Sequence, residues 1–213
     1  MSPKNENEIT KDIQVIWHGH SCFEVRAQGA TIVFDPYLKV PGYGELNLQA
    51  DLVLVSHEHD DHNARNRVTL SGRTPDVKIE VLETSHDPEG GKLRGDNKVH
   101  IVTVAGKRIA HLGDLGRTLT QQETQQLQNL DALMIPVGGH YTIDAQEAAE
   151  IVRATNPDIT LPMHYYDGKA GWDVTAGVQP FLNLFDQVIH SDESSFVLGE
   201  CHQCVVVLKN PKK

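Results

Sequence analysis

Asp51-Leu52-Val53-Leu54-Val55-Ser56 runs directly into His57-Glu58-His59-Asp60-Asp61-His62. The first six residues read as a short apolar strand, and the next six crowd candidate metal ligands at its end. His57 and His59 are two apart, so on an extended segment both imidazoles leave the same side and can meet one cation. Asp61 and His62 follow as the chain turns away, so one loop can serve two neighbouring metals. A solvated acidic turn is the alternative, but a loop needing only polarity does not need three imidazoles.

Further donors recur downstream. His86 lies in Glu83-Thr84-Ser85-His86-Asp87, Asp114 in His111-Leu112-Gly113-Asp114-Leu115-Gly116, and His164 in Leu161-Pro162-Met163-His164-Tyr165. Each follows a short apolar run, where rigid strands hold the loops that carry chemistry. Alone, each would read as a hydrogen-bonded residue closing a strand. With the hexapeptide they form a pattern.

That order, HxHxDH, then His, then Asp in a Gly-Asp turn, then His, resembles the metallo-β-lactamase superfamily over most of the chain. Trp17-His18-Gly19-His20-Ser21-Cys22-Phe23, Val33-Phe34-Asp35-Pro36, residues 108–116 and Pro136-Val137-Gly138-Gly139-His140-Tyr141-Thr142-Ile143-Asp144 resemble a narrower branch. It is the zinc-dependent hydrolase-like branch related to L-ascorbate-6-phosphate lactonase and, more distantly, to N-acyl-phosphatidylethanolamine phospholipase D. The resemblance implies an α/β fold of the four-layer αββα sandwich type and a metal-dependent hydrolase. It implies that His57, His59 and His86 hold one metal, that Asp61, His62 and His164 hold a second, and that Asp114 bridges them. Two divalent ions are expected, zinc foremost, although imidazole and carboxylate donors suit manganese or iron too. Asp114 stands where B1 β-lactamases carry a Cys ligand, and the short spacer between His62 and His86 leaves little room for an inserted substrate domain. Antibiotic hydrolysis is therefore not expected.

The implied donor set suggests a mechanism. Two divalent cations less two carboxylates and a bridging hydroxide leave about +1 in the ligand sphere, which favours anionic or carbonyl substrates. Bound metals bring the pKa of water toward about 7, supplying hydroxide to attack an ester, lactone or phosphoester of a small, anionic substrate. Asp61 and Asp114 are then catalytic as well as ligating. For the proton required by the leaving group, His140 leads, with Tyr141 and His20 as alternatives. Asp35 is expected to support the metal loop rather than merely start the Asp35-Pro36 turn, whereas His18 and His111 read as structural.

The 213 residues fit one domain over 13–213, preceded by a polar, disordered tail over 1–12. No apolar stretch is long enough to span a bilayer and no charged-then-apolar leader is visible, so a cytoplasmic protein without membrane contact is expected. The three cysteines, Cys22, Cys201 and Cys204, make no disulfide framework. Cys201-His202-Gln203-Cys204 has no second pair to complete a zinc site and reads as the turn of a hairpin between residues 196–199 and the last strand, its thiols incidental. Net charge is −10, with 19 Lys and Arg against 29 Asp and Glu, which excludes the cationic field that nucleic acids demand. Local exceptions are Arg65, Arg67, Lys92, Arg94 and Lys98, and the mobile-looking loop at 88–96 is the expected substrate loop. Self-association into a homo-oligomer stays open.

Strand-like runs fall at 13–17, 23–27, 30–35, 51–56, 77–82, 99–104 and 107–112. Thr120-Gln121-Gln122-Glu123 is a capping-box start for a helix reaching about Asn129. Asp144-Ala145-Gln146-Glu147 opens another with an apolar side at Ala148, Ala149, Ile151 and Val152, which Asn156-Pro157 stops. With strands at 131–136 and 158–162 it forms a βαβ unit that delivers His164 to the edge carrying the hexapeptide. Two other classes remain. A di-iron redox enzyme would place Glu at the second ligand position, where this chain has His59. A non-catalytic metal-binding protein on the same fold is the stronger alternative.

Overall fold

The antiparallel meander β1 (Gln14–Gly19), β2 (Cys22–Ala27) and β3 (Ala30–Phe34) follows from apolar residues spaced two apart, which send alternate side chains to opposite faces. Ile32 and Phe34 enter the core shared with the second sheet, while Val33 between them joins a smaller cluster on the other face. The structure, a computed structural model, describes residues 12–211. The expected tail over 1–12 lies outside the described residues except for Asp12.

Beyond the meander come β4 (Leu48–Ala50), β5 (Leu52–Leu54), a 3-10 turn (Arg65–Arg67), β6 (Val68–Leu70), β7 (Val77–Ser85), β8 (Asp96–Val104) and β9 (Lys107–His111). The remainder is α1 (Gln121–Gln126), β10 (Ala132–Pro136), α2 (Ala145–Thr155), β11 (Ile159–Met163), α3 (Gln179–Leu182), β12 (Val188–His190), β13 (Ser195–Val197) and β14 (Cys204–Val207). The first sheet has the order β13-β1-β2-β3-β5 and the second β12-β14-β11-β10-β9-β8-β7, with β4 and β6 as a separate pair. Val15, Trp17, Phe23 and Phe34 from the first sheet share one apolar core with Val99, Ile101, Ile109, Leu133 and Leu161 from the second. Every residue of β10 and β11 is buried, as expected of parallel strands covered on both faces.

The βαβ unit forms as read. The Asp144 carboxylate accepts from the N–H groups of Gln146 and Glu147, both at 2.9 Å, and Glu147 returns a bond to the Asp144 N–H, so α2 begins with a closed capping box. It ends at Asn156, which adopts a left-handed φ of +47° before Pro157. Ala148, Ala149, Ile151 and Val152 are buried beneath it. α1 is shorter than expected and stops at Gln126, because Leu127 and Leu130 turn inward into the core.

The architecture is mixed α/β, dominated by sheets and with few helices, in keeping with the metallo-β-lactamase-like expectation. The helices join the core on the second sheet. Over the far face of the first sheet lies a cluster in which Cys22 and Val33 meet Tyr37, Val40, Leu46, Ala50 and Val68. That layer is made by the segment at 36–47 and the β4–β6 pair, and its helical content among the described residues is the single 3-10 turn.

Two further expectations are overturned. β13 and β14 are not a hairpin: β13 pairs antiparallel with β1 in the first sheet, whereas β14 pairs parallel with β11 and β12 in the second. Apolar alternation marks a strand but does not name its partner. Cys201, in the segment between them, is joined by a disulfide to Cys204, the first residue of β14, so the two thiols are not incidental as expected, while Cys22 is free and buried. Among the described residues no helix is long and apolar enough to cross a membrane.

Candidate metal centre

Because β8 runs antiparallel to both β7 and β9, and β9, β10 and β11 are mutually parallel, the carboxyl ends of β7, β9, β10 and β11 open on one edge. His86 follows β7, Asp114 follows β9 and His164 follows β11. From the first sheet, β3 and β5 run parallel and deliver Asp35 and the hexapeptide to the same place. The backbone N–H of Lys98 donates to the Ser56 carbonyl at 2.9 Å, joining the two sheets beside the site. Gly113 is required here: at φ +56° it lies against Ser56 and Asn97, and a Cβ would sit 2.4 Å from each side chain.

The donors fall into two groups. Ligand atoms of His57, His59 and His86 all lie within 4.8 Å of one another, as do those of His20, Asp61, His62 and His164. Asp114 stands between them. Its Oδ2 is 3.2 Å from Nε2 of both His62 and His164, 3.4 Å from His86 Nε2 and 4.0 Å from His57 Nε2. All seven residues expected as ligands are thus brought together.

A test of whether these residues suit cations comes from their unpaired atoms. His57 Nε2, His62 Nε2, His86 Nδ1, His164 Nδ1 and Asp114 Oδ1 are buried without a hydrogen-bond partner, as are both ring nitrogens of His20. Each such atom costs about 1–3 kcal/mol unless something satisfies it. The unpartnered Nε2 atoms of His57 and His62 and the Oδ1 atom of Asp114, gathered among further imidazoles, fit divalent cations.

Support behind the donors is extensive. Asp35, buried completely, accepts from the Ser56 N–H at 2.7 Å, the Ser56 hydroxyl at 2.6 Å and His62 Nδ1 at 2.8 Å. The Ser56 hydroxyl also lies 2.9 Å from His57 Nδ1. These bonds turn the Nε2 atoms of His57 and His62 into the site. Burial alone would raise the Asp35 pKa, but neighbouring His111, His62 and His57 hold it well below the usual carboxylate range. Burial likewise opposes ionisation of Asp114, and the imidazoles of His164 and His62 outweigh it. Burial brings the His57 imidazole down to about 3 and that of His20 to about 4, whereas the Asp114 and Asp35 carboxylates outweigh burial at His62 and hold its imidazole well above the ordinary value. Asn97 accepts from the Asp114 N–H through Oδ1 and donates through Nδ2 to Thr84 Oγ1 and the Leu112 carbonyl, each at 2.9 Å.

His18 bonds Glu24 at 2.8 Å, and His111 bonds the Ser21 carbonyl at 2.8 Å while stacking on Phe34, both structural as read. His20, expected only as a proton-transfer candidate, is 1% exposed with its Nε2 3.4 Å from Asp61 Oδ2. Its ring centroid is 4.2 Å from that of His164. His140 differs from expectation. Its side chain is exposed, its carbonyl accepts from Arg94 Nη2 at 3.4 Å, and Tyr141 instead lines the cavity over the donors. The turn holding it, with Gly139 at φ +64° and His140 at φ +60°, directs the next side chain inward. His20, Asp35 and His164 share this left-handed backbone, at φ values of +53°, +43° and +53°.

The loop after His86 is organised around one carboxylate. The Asp87 carboxylate, fully buried, accepts from the N–H groups of Glu89, Gly91, Leu93 and Arg94 at 2.8–3.1 Å. Sequence reasoning missed Trp172, whose Nε1 donates to Asp61 Oδ2 at 3.0 Å. The available signal was a tryptophan outside any apolar run, in the polar stretch Gly168-Lys169-Ala170-Gly171-Trp172-Asp173. The cavity over the donors has a volume of about 290 Å³ and is bordered by Arg94, Tyr141 and Trp172.

Residues 14–164 match a family model described as Beta-lactamase superfamily domain. A UPF0173 metal-dependent hydrolase of Thermoplasma volcanium is 28% identical, the match covering 72% of this chain and 84% of the relative. One from Thermoplasma acidophilum is 29% identical, covering 73% and 84%. Among solved structures, a protein from Thermotoga maritima assigned as a Zn-dependent hydrolase of the metallo-β-lactamase superfamily is 32% identical. It aligns with a TM-score of 0.74 over 93% of this chain and 100% of its own.

Proposed function

The chain belongs to the metallo-β-lactamase superfamily and is a metal-dependent hydrolase; from that premise we propose a binuclear enzyme that cleaves an ester, lactone or phosphoester of a small anionic substrate. The observation that carries the binuclear reading is the position of Asp114 Oδ2, within 3.2–4.0 Å of imidazole nitrogens from both donor groups. His57, His59 and His86 would hold one ion, Asp61, His62 and His164 the other, with Asp114 between them. When bound, such a pair of ions brings the pKa of water toward about 7 and stabilises developing negative charge.

The residues of the chain do the rest. Asp35 fixes the His62 ring by accepting from Nδ1, and Ser56 does the same for His57, so neither imidazole needs to reorganise during turnover. Trp172 fixes Asp61 by donating to its Oδ2, and the His20 Nε2 atom lies 3.4 Å from the same oxygen. Tyr141, rather than the His140 imidazole, borders the cavity and would give a hydrogen bond to the oxygen that leaves. A cavity of about 290 Å³ admits a small molecule, and a net charge of −10 disfavours nucleic acid.

The test is metal per chain by plasma mass spectrometry on the full-length protein, beside His59→Ala and Asp114→Ala, with hydrolysis of small lactones and phosphodiesters assayed on the same samples. Two ions in wild type, fewer in both variants and turnover lost with them is the expected result. Two ions with no turnover on any ester would point to a non-catalytic metal-binding protein.

A further inference from the structure

We propose that Arg94, seated against Tyr141 beside Trp172, is a binding subsite for a terminal oxyanion, a carboxylate or phosphate carried by a flat or apolar substrate body. The inference rests on the hydrolase reading for its place in a reaction, but the subsite itself is argued from residues outside the donor cluster.

Its first support is charge pairing. In this acidic chain most arginines are matched to carboxylates, as Arg65 is to Glu58, Arg73 to Asp51 and Arg117 to Glu123. Arg94 is not: among the described residues no carboxylate oxygen lies within 4.0 Å of its guanidinium, and its side-chain hydrogen bond is the 3.4 Å one to the His140 carbonyl. A half-buried cation that a −10 chain leaves unpaired beside a cavity has its donors free for an incoming acceptor.

Geometry is the second support. The Arg94 backbone N–H is held by the buried Asp87 carboxylate at 2.8 Å, so the side chain stands on a fixed base. Its Cζ is 5.7 Å from the Tyr141 ring centroid. A guanidinium against an aromatic ring keeps its N–H edge available for the two-point contact that a carboxylate or phosphate accepts. Less conformational freedom is then lost on binding.

The third support is where the guanidinium lies. Arg94 borders both the cavity over the donor cluster, about 290 Å³, and an adjoining cleft of about 480 Å³ to which Arg65 and Lys98 also contribute. His59 borders both spaces as well. A substrate with its scissile group among the donors would carry its charged end past the Tyr141 and Trp172 rings to Arg94, with Lys98 beyond. The rings accept a planar or apolar body, and the cation selects against an uncharged terminus.

The experiment is calorimetric titration of the metal-loaded full chain with phenylphosphonate, benzoate and the neutral benzyl alcohol. Wild type is compared with Arg94→Met, which keeps the stem and removes the charge, and Arg94→Lys, which keeps charge without the fork. The expected result is anion binding weakened roughly 10- to 100-fold in Arg94→Met and less in Arg94→Lys, with benzyl alcohol bound equally by all three. Preference for phenylphosphonate or benzoate identifies the oxyanion as phosphate-like or carboxylate-like. Anions bound as tightly by Arg94→Met as by wild type, and so held by the metals alone, would overturn the subsite, as would wild type binding neither anion. Metal content of each variant guards against a damaged centre, and Arg94→Lys decides the matter if Arg94→Met proves unstable. Turnover of lactones and phosphodiesters is read separately: no turnover with Arg94-dependent anion binding removes the hydrolase reading and leaves the subsite, while turnover with Arg94-independent binding does the reverse.

Discussion

The indole Nε1 of Trp172 donates to Asp61 Oδ2 at 3.0 Å, tying two segments 111 residues apart. Asp61 is 20% exposed at the side chain, the least enclosed member of its donor group, and His20 is its other neighbour at 3.4 Å. Its orientation therefore depends on a residue the βαβ unit has already passed.

Trp172→Phe keeps the ring and removes the donor. Loss of one partner behind a ligand typically weakens metal affinity about 10- to 100-fold, so on the proposed binuclear reading metal content after dialysis should fall from two toward one per chain. Content equal to wild type would mean that Asp61 is held without the indole.

Asp35→Ala should be costly even in metal-free protein. Three donors, the Ser56 N–H, the Ser56 hydroxyl and His62 Nδ1, would lose their acceptor in a fully buried place. Breaking a buried, hydrogen-bonded charge pair costs about 3–5 kcal/mol. Urea unfolding of the two apo proteins measures it, and a difference under about 1 kcal/mol would contradict the role given to Asp35.

Asp87→Ala should loosen the turn at 88–95 by removing the acceptor for four backbone N–H groups. Tryptic cleavage after Lys92 and Arg94 should quicken by at least about tenfold. Timed digestion followed by mass spectrometry reads it, and unchanged cleavage would show that other contacts hold the loop.

Glu123 gives a pH-dependent contribution. Its hydrogen bond from Arg117, with those from Thr120, holds its pKa down to about 2 against burial, below an unfolded value near ~4.3. A depressed carboxyl stabilises the fold fully above the unfolded value and loses that effect as pH falls through the folded one. Glu123→Gln should therefore be less stable than wild type at pH 6, with the gap closing between about pH 4.5 and pH 2. Equal stability of the two proteins at pH 6 would refute the contribution.

Much of this was legible in the sequence because strand ends and caps leave local signatures. The capping boxes at Thr120 and Asp144, the stop at Asn156-Pro157 and the seven donors after apolar runs all depend on residues within a few positions of one another. What was not legible depends on distant partners. Nothing near Trp172 points to Asp61, nothing in residues 195–207 says that β13 and β14 enter different sheets, and the glycines after His86 conceal an organising carboxylate at Asp87. His140 was misplaced for a similar reason. Its turn was found, but which of two adjacent side chains faces inward depends on the left-handed backbone at Gly139 and His140.

The left-handed conformations at His20, Asp35 and His164 put stability and chemistry in opposition at the same residues. Each costs about 1 kcal/mol or more for a side chain bearing Cβ, and glycine would adopt it freely. At His164, Ala and Gly substitutions should both remove the imidazole, yet the Gly protein should melt higher. Mutational drift toward a hardier fold would thus lead toward glycine at these positions and away from the side chains gathered at the strand ends.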